Sequence, residues 1–202
     1  TAQNGSISHS AAVNIIPGPV VRIAVSPDPV TLVVSSAQPF SAIAYDVHDN
    51  VIPGAIFAWT TNVGTVDSSG HFTAQISPGI GTVTATIGAI SDSASITVIA
   101  SSPDHIVVLP NPVSMVVGGG QTFFATAYDS FNNLLSGIGF AWTTNVGSID
   151  QTGHFTAQTA TAAGWVRATN GTVFGQTPVT IIHGPLDHIT AMPDPATFVV
   201  GE

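Results

Sequence analysis

Apolar residues recur along this chain with a period of two, in short runs broken by turn residues. Phe40, Ala42 and Ala44 alternate with Ser41, Ile43 and Tyr45; Val83, Ala85 and Ile87 form a second such set, and Ala94, Ile96 and Val98 a third. A period of two sends successive side chains to opposite faces of a strand, so each run predicts a strand with one face toward a core. No segment keeps a helical period over a useful length. Between Pro19 and Ser101 the pattern predicts strands at 20–26, 30–34, 40–45, 56–61, 63–67, 71–75, 82–87 and 91–99, with turns at 46–54, 68–70 and 88–89. Pro27 and Pro29 interrupt the first apolar run. An edge strand that changes sheets at a proline kink fits them, because an edge has N–H positions that need no partner. With the two runs it joins counted as one element, this gives about seven short strands, the signature of an antiparallel β-sandwich. Trp59 is placed in its core.

The same pattern then repeats. FAWTTNVG occurs at 57–64 and again at 140–147, and GHFTAQ at 70–75 and 153–158. Trp59 and Trp142 are 83 positions apart, as are Tyr45 and Tyr128; Pro27 and Pro29 map to Pro110 and Pro112, then to Pro193 and Pro195. One register runs through the chain, and it makes Trp142 the second core tryptophan. The expected organisation is the C-terminal hairpin of a preceding repeat at 1–18, whole repeats at 19–101 and 102–184, and the first strands of a following repeat at 185–202. Neither end fragment can bury a core alone. The chain is therefore expected to be a window on a longer polypeptide. Half-units completing one another between chains, as in donor-strand pairing, is the alternative.

Composition narrows the function. Charged residues are 6% of the chain, Lys is absent, and the net charge is −9. Phosphate binding needs clustered Lys and Arg, so nucleic acid is excluded as a partner, and anionic lipid surfaces are disfavoured. No apolar stretch is long enough to span a membrane in this segment. Without Cys there is no disulfide, and without Lys no lysine-based isopeptide cross-link. Stability must come from packing, hydrogen bonds, metal or assembly.

The string I-x-V-x-P-x-P, followed by F-x-A-x-A-Y-D, F-x-W-T-T-N-V-G-x-[VI]-D-x-[ST]-G-H-F-T-A and A-T-x-G, resembles the bacterial immunoglobulin-like repeats of invasin- and intimin-type cell-surface proteins. The resemblance covers essentially the whole chain. It implies an all-β fold of tandem immunoglobulin-like antiparallel sandwiches, and an extracellular, cell-surface location. It also implies a structural role in a filament, sheath or surface layer, or in an adhesin stalk. Other copies of the same chain are then the expected partners, as in a homopolymer. A glycan- or protein-binding adhesion module, with a host or cell-surface glycan as ligand, is the alternative. An accessory region of a secreted polysaccharide-active enzyme is a further one. No enzyme activity is expected of the segment itself: no G-x-S-x-G elbow and no Gly-rich phosphate loop occurs.

Three groups of residues invite a chemical reading. The loops holding Asp46, Asp49 and Asn50, and Asp129, Asn132 and Asn133, offer hard oxygens of the kind calcium takes. Side chains capping a tight turn explain them as well. Calcium is thus a possible cofactor and no other is expected. Asn4 and Asn170 begin N-x-[ST] sequons two registers apart, which reads either as glycosylation or as turn chemistry. Trp165 stands where the first repeat has Thr82, out of phase with Val166 and Ala168, and is the candidate binding aromatic. The seven His include no H-x-H or H-x-x-x-H pair and are read as exposed strand residues.

Overall fold

The computed structural model describes residues 2–4 and 6–190. Among the described residues every regular element is a strand. A hairpin of β1 (Ala2–Asn4) and β2 (Ile7–His9) comes first. It is followed by β3 (Arg22–Ser26), β4 (Val30–Val33), β5 (Ala37–Pro39), β6 (Ser41–Tyr45), β7 (Ala58–Thr61), β8 (Gly64–Val66), β9 (His71–Ala74), β10 (Gly79–Ile87) and β11 (Ile90–Ile99). The second set is β12 (His105–Leu109), β13 (Val113–Val116), β14 (Gly120–Thr122), β15 (Phe124–Tyr128), β16 (Leu134–Leu135), β17 (Ala141–Thr144), β18 (Ser148–Ile149), β19 (His154–Thr156), β20 (Ala162–Asn170) and β21 (Val173–Ile182). The chain forms two compact units: one runs to Ser102 and includes Asp129–Asn133, the other begins at Pro103.

In the first unit, β4-β11-β10-β7 make one sheet, β3-β6 a second and β5-β9-β8 a third. The long β10–β11 hairpin is antiparallel, with Val83 opposite Ala94, whereas β4 joins β11 in parallel, with Val30 opposite Ile96. The sheet change at Pro27-Asp28-Pro29 is present as expected: β3 pairs with β6, and β4 pairs with β11. Both X-Pro bonds there are cis. Alternation then fills the core. Val83 and Ala85 of β10 are buried, as are Ala94, Ile96 and Val98 of β11 and Phe72 of β9. Phe40 meets Phe72 edge to face, centroids 6.0 Å apart, a favoured aromatic geometry.

The second unit repeats the plan with β13-β21-β20-β17, β12-β15-β16 and β14-β19-β18. Phe123 and Phe155 take the places of Phe40 and Phe72, again 6.0 Å apart and near perpendicular. Trp142 is buried, and Trp59 is half-buried against its core. Gly153 shows how tightly this is packed. It sits at φ 82°, and a Cβ there would lie 2.4 Å from Phe123 O and 3.2 Å from the Trp142 ring.

The fold is the all-β immunoglobulin-like sandwich expected from the alternation. The small strand β5 was not expected: three residues ending in Pro carry too little alternation to register. Residues 185–190 of the anticipated following repeat form no strand, and the rest of it, 191–202, lies outside the described residues.

Candidate functional site

Each sandwich carries one buried aspartate just after a strand, at the base of a loop. Asp46 follows β6 and Asp129 follows β15; their exposures are 4% and 0%. A buried carboxylate is unfavourable unless it is hydrogen-bonded, and both are saturated by N–H donors. Asp46 Oδ1 accepts the backbone N–H of His48 and of Asn50, each at 2.9 Å. Its Oδ2 accepts Asn50 Nδ2 at 3.1 Å and the backbone N–H of Gly18 at 2.9 Å. Asp129 repeats the set with Phe131 and Asn133 N–H at 2.9 Å, Asn133 Nδ2 at 3.0 Å and Ser101 N–H at 3.0 Å. The turn beneath is completed at Asp49 (φ 59°) and Asn132 (φ 62°), the residue types that tolerate left-handed backbone.

These donors set the charge state. The Gly18 N–H and then the Asn50 side chain hold the Asp46 carboxyl far below its ordinary range, against the opposing effect of burial. At Asp129 burial pushes upward most strongly, but the Asn133 side chain and the N–H groups of Asn133, Ser101 and Phe131 together bring it down to about 2. Both are anions at neutral pH.

The arrangement can therefore fasten a chain segment. Gly18 and Ser101 occupy one register position, immediately before the first strands of the two sandwiches. Each aspartate thus ties the incoming chain to the loop on which it sits. The six residues considered for calcium divide accordingly. Asp46 and Asp129 are the clamps, Asn50 and Asn133 their donors, and Asp49 and Asn132 the turn positions. Asp49 also pairs with Arg22 at 2.8 Å. A cation would have to displace N–H groups already directed at the carboxylates. Among the described residues no group of three or more His, Asp or Glu is disposed to hold a metal.

The other candidates lie elsewhere. Trp165 is half-buried on the outer face of β20, with the Arg167 guanidinium 4.5 Å from its ring centroid. Asn170 ends β20, so the hairpin turn is Gly171-Thr172, and its Nδ2 donates to Gly139 O at 3.0 Å. Asn4 is the last residue of β1. His105 stacks on Tyr128, centroids 5.3 Å apart, as Arg22 lies over Tyr45 at 3.9 Å. Sequence reasoning missed the clamp bond itself, which joins residues 28 apart. The only trace of it was the Tyr-Asp pair recurring in register.

No family model matches the chain, and no curated protein matches it. Among solved structures it is similar to the Escherichia coli adhesin FdeC, at 19% identity over 86% of this chain and 68% of that one, with a TM-score of 0.50. It is similar to the protocadherin gammaB4 extracellular domain at 14% identity over 79% of this chain and 32% of that one, TM-score 0.50. The fold is an immunoglobulin-like or cadherin-like β-sandwich. The S-layer protein SbsC shares 21% identity over 84% of this chain, with a TM-score of 0.42, and the chain spans 29% of that protein's length.

Proposed function

We propose that this chain is a non-catalytic structural region of an extracellular surface protein, built of whole repeats at 19–101 and 102–184, of the invasin and intimin kind. It serves in a filament, sheath or surface layer made of copies of itself, or in an adhesin stalk. The observation that carries this reading is the duplicated clamp. A connection left to water would behave as a flexible tether, whereas here the residue entering each sandwich is hydrogen-bonded to a buried anion of that sandwich. The fold likeness to an adhesin supports the same placement outside the cell, and an acidic, lysine-free surface suits exposure to proteases that cut at basic residues.

Electron microscopy of the native material tests the reading. Ordered polymers, or rods with a regular bead spacing, are the expected result, the first assigning a polymer and the second a stalk. Isolated compact particles with neither would overturn it. The sequon at Asn170 is proposed as a glycan acceptor; added mass on the peptide containing it is the check, and an unmodified peptide from native material would sink that assignment.

A further inference from the structure

The outward face of the second sandwich carries a cluster that the first lacks. On β20 and β21, Val166, Ala168, Thr177 and Val179 point into the core, so Trp165, Arg167, Phe174 and Gln176 stand together on the opposite face. Their register makes them neighbours: Arg167 is opposite Gln176, Thr169 opposite Phe174, and Trp165 opposite Pro178. The Arg167 guanidinium lies 4.5 Å from the Trp165 ring centroid and 4.2 Å from that of Phe174. Gln176 Oε1 accepts from Arg167 Nε at 3.2 Å and from its terminal nitrogen at 2.8 Å. Two aromatic rings and an amide therefore hold the guanidinium in a set orientation.

The fold does not require this cluster. The same register positions in the first sandwich are Thr82, Thr84, Ser91 and Ser93. There Thr84 and Ser93 simply share a hydrogen bond of 2.8 Å, on strands paired in the same way. Four small hydroxyl residues build the sheet as well as two aromatics, an arginine and a glutamine do.

Charge says what the cluster would take. The chain has two cationic residues of Lys or Arg type and a net charge of −9. Arg22 is neutralised by Asp49. Arg167 has no carboxylate within 4 Å among the described residues, and its partner, the Gln176 amide, is neutral. A guanidinium has five N–H groups in a fixed fork, and the bonds to Gln176 use two of them. The rest are free for an anion. The face is also an open sheet surface, with Phe174, Gln176 and Pro178 exposed. Around the guanidinium stand Phe174, 51% exposed, and the exposed Thr143, which pairs with Arg167 from β17. An apolar ring beside hydroxyl and amide groups matches a pyranose, which offers C–H groups on one face and hydroxyls at its rim.

We propose that this face binds an acidic polysaccharide, one whose pyranose rings carry carboxylates, with Arg167 pairing the carboxylate and the aromatic rings supporting the sugar. This goes beyond the structural role argued above and does not depend on it.

The test titrates the 202-residue chain with a galacturonate oligomer, followed by calorimetry and tryptophan fluorescence. A neutral glucose oligomer of the same length is the control. The acidic oligomer is expected to bind about tenfold more tightly than the neutral one. The variants Arg167→Thr and Phe174→Ser, which install the first repeat's residues, are each expected to weaken binding by about fivefold or more while remaining folded by circular dichroism. Equal affinity for the two oligomers would overturn the assignment, as would binding unchanged in Arg167→Thr. No binding, with a lowered melting temperature as the variants' only effect, would reduce the cluster to a stabilising ladder. Sedimentation covers the protein partner: a dimer of the unliganded chain that Arg167→Thr dissolves would make this face a joint between copies and remove the sugar.

Discussion

Asp92 in the first sandwich and Gly175 in the second hold the same place in the register, and they solve one problem in opposite ways. Asp92 Oδ2 accepts the N–H of Val25 on β3 at 2.8 Å, a side chain bridging two strands. At Gly175 there is no room for a side chain: a Cβ would fall 2.1 Å from Ile106 O on β12. The backbones close up where the first sandwich keeps a carboxylate between them. Nearby, Asp28 Oδ1 accepts the Ser95 N–H at 2.7 Å. In the second sandwich Ser95 becomes Pro178, which has no N–H to give, and Asp28 becomes Asn111. The position of Ala94 becomes Thr177, whose buried Oγ1 lies 3.1 Å from Asn111 Oδ1 and 3.0 Å from Pro110 O. One architecture thus holds two internally consistent sets of contacts. A residue moved alone from one set to the other leaves a partner stranded, because buried polar groups must be matched.

The largest expected effect breaks this comparison directly. Gly175→Asp should cost about 3–5 kcal/mol, because the clash is with backbone that cannot turn aside. The reverse change, Asp92→Gly, loses one hydrogen bond and should cost about 1–2 kcal/mol. Denaturant unfolding of both variants measures the asymmetry, and equal losses would show that the two sites are interchangeable after all.

Next come the clamps, where the sandwiches agree. Asp46→Ala and Asp129→Ala should each lower the melting temperature by about 5–10 °C, since several N–H groups lose one acceptor together. Hydrogen exchange should quicken at Gly18, His48 and Asn50 in the first variant, and at Ser101, Phe131 and Asn133 in the second. Exchange that stays slow would mean that the carboxylate is not what fastens the entry.

Thr177→Val keeps shape and removes the hydroxyl, at an expected cost of about 1–2 kcal/mol by the same unfolding assay. The first sandwich has Ala94 there and loses nothing by it, so a neutral result would deny that Thr177 answers Pro178.

Acid probes both clamps together. Asp129 titrates at about 2 in the fold, against about 4 in an unfolded chain. Between those values the unfolded state binds more protons, so stability is complete above about pH 4 and is lost as pH falls toward 2. Asp46 is depressed in the same direction. The melting temperature should therefore be level from neutrality to about pH 5 and fall below pH 4, less steeply in Asp129→Ala. A fall centred near pH 6 would point to histidine instead.

The smallest effect is chelation. With N–H donors directed at both carboxylates, EDTA should move the melting temperature by less than about 1 °C. A clear drop would convert the loops into calcium sites.

Much of the fold was legible because it is written in local, periodic signals. Alternation located the long strands, Pro-Asp-Pro marked the change of sheet, and Gly88-Ala89 marked the hairpin turn of β10 and β11. Repetition of FAWTTNVG and GHFTAQ showed two copies of one plan. The site was less legible. The loops of Asp46 and Asp129 stood out as clusters of oxygen ligands, but an oxygen-rich loop reads alike whether it faces a cation or its own N–H groups. Trp165 stood out by its phase, whereas Arg167, Phe174 and Gln176 did not, since no rule of spacing joins residues across a hairpin until the register is known.

By itself, then, the sequence determined the long strands, the hairpin turns and the 83-residue register, since each depends on neighbours a few positions away and on backbone preferences that act locally. Only the tertiary structure decided which atoms meet across long separations: Gly18 with Asp46, Val25 with Asp92, Thr177 with Asn111. Those contacts turn on distances of a few tenths of an ångström, and on which side of a strand a neighbour's N–H is left over. Such quantities exist only once the sheets have packed.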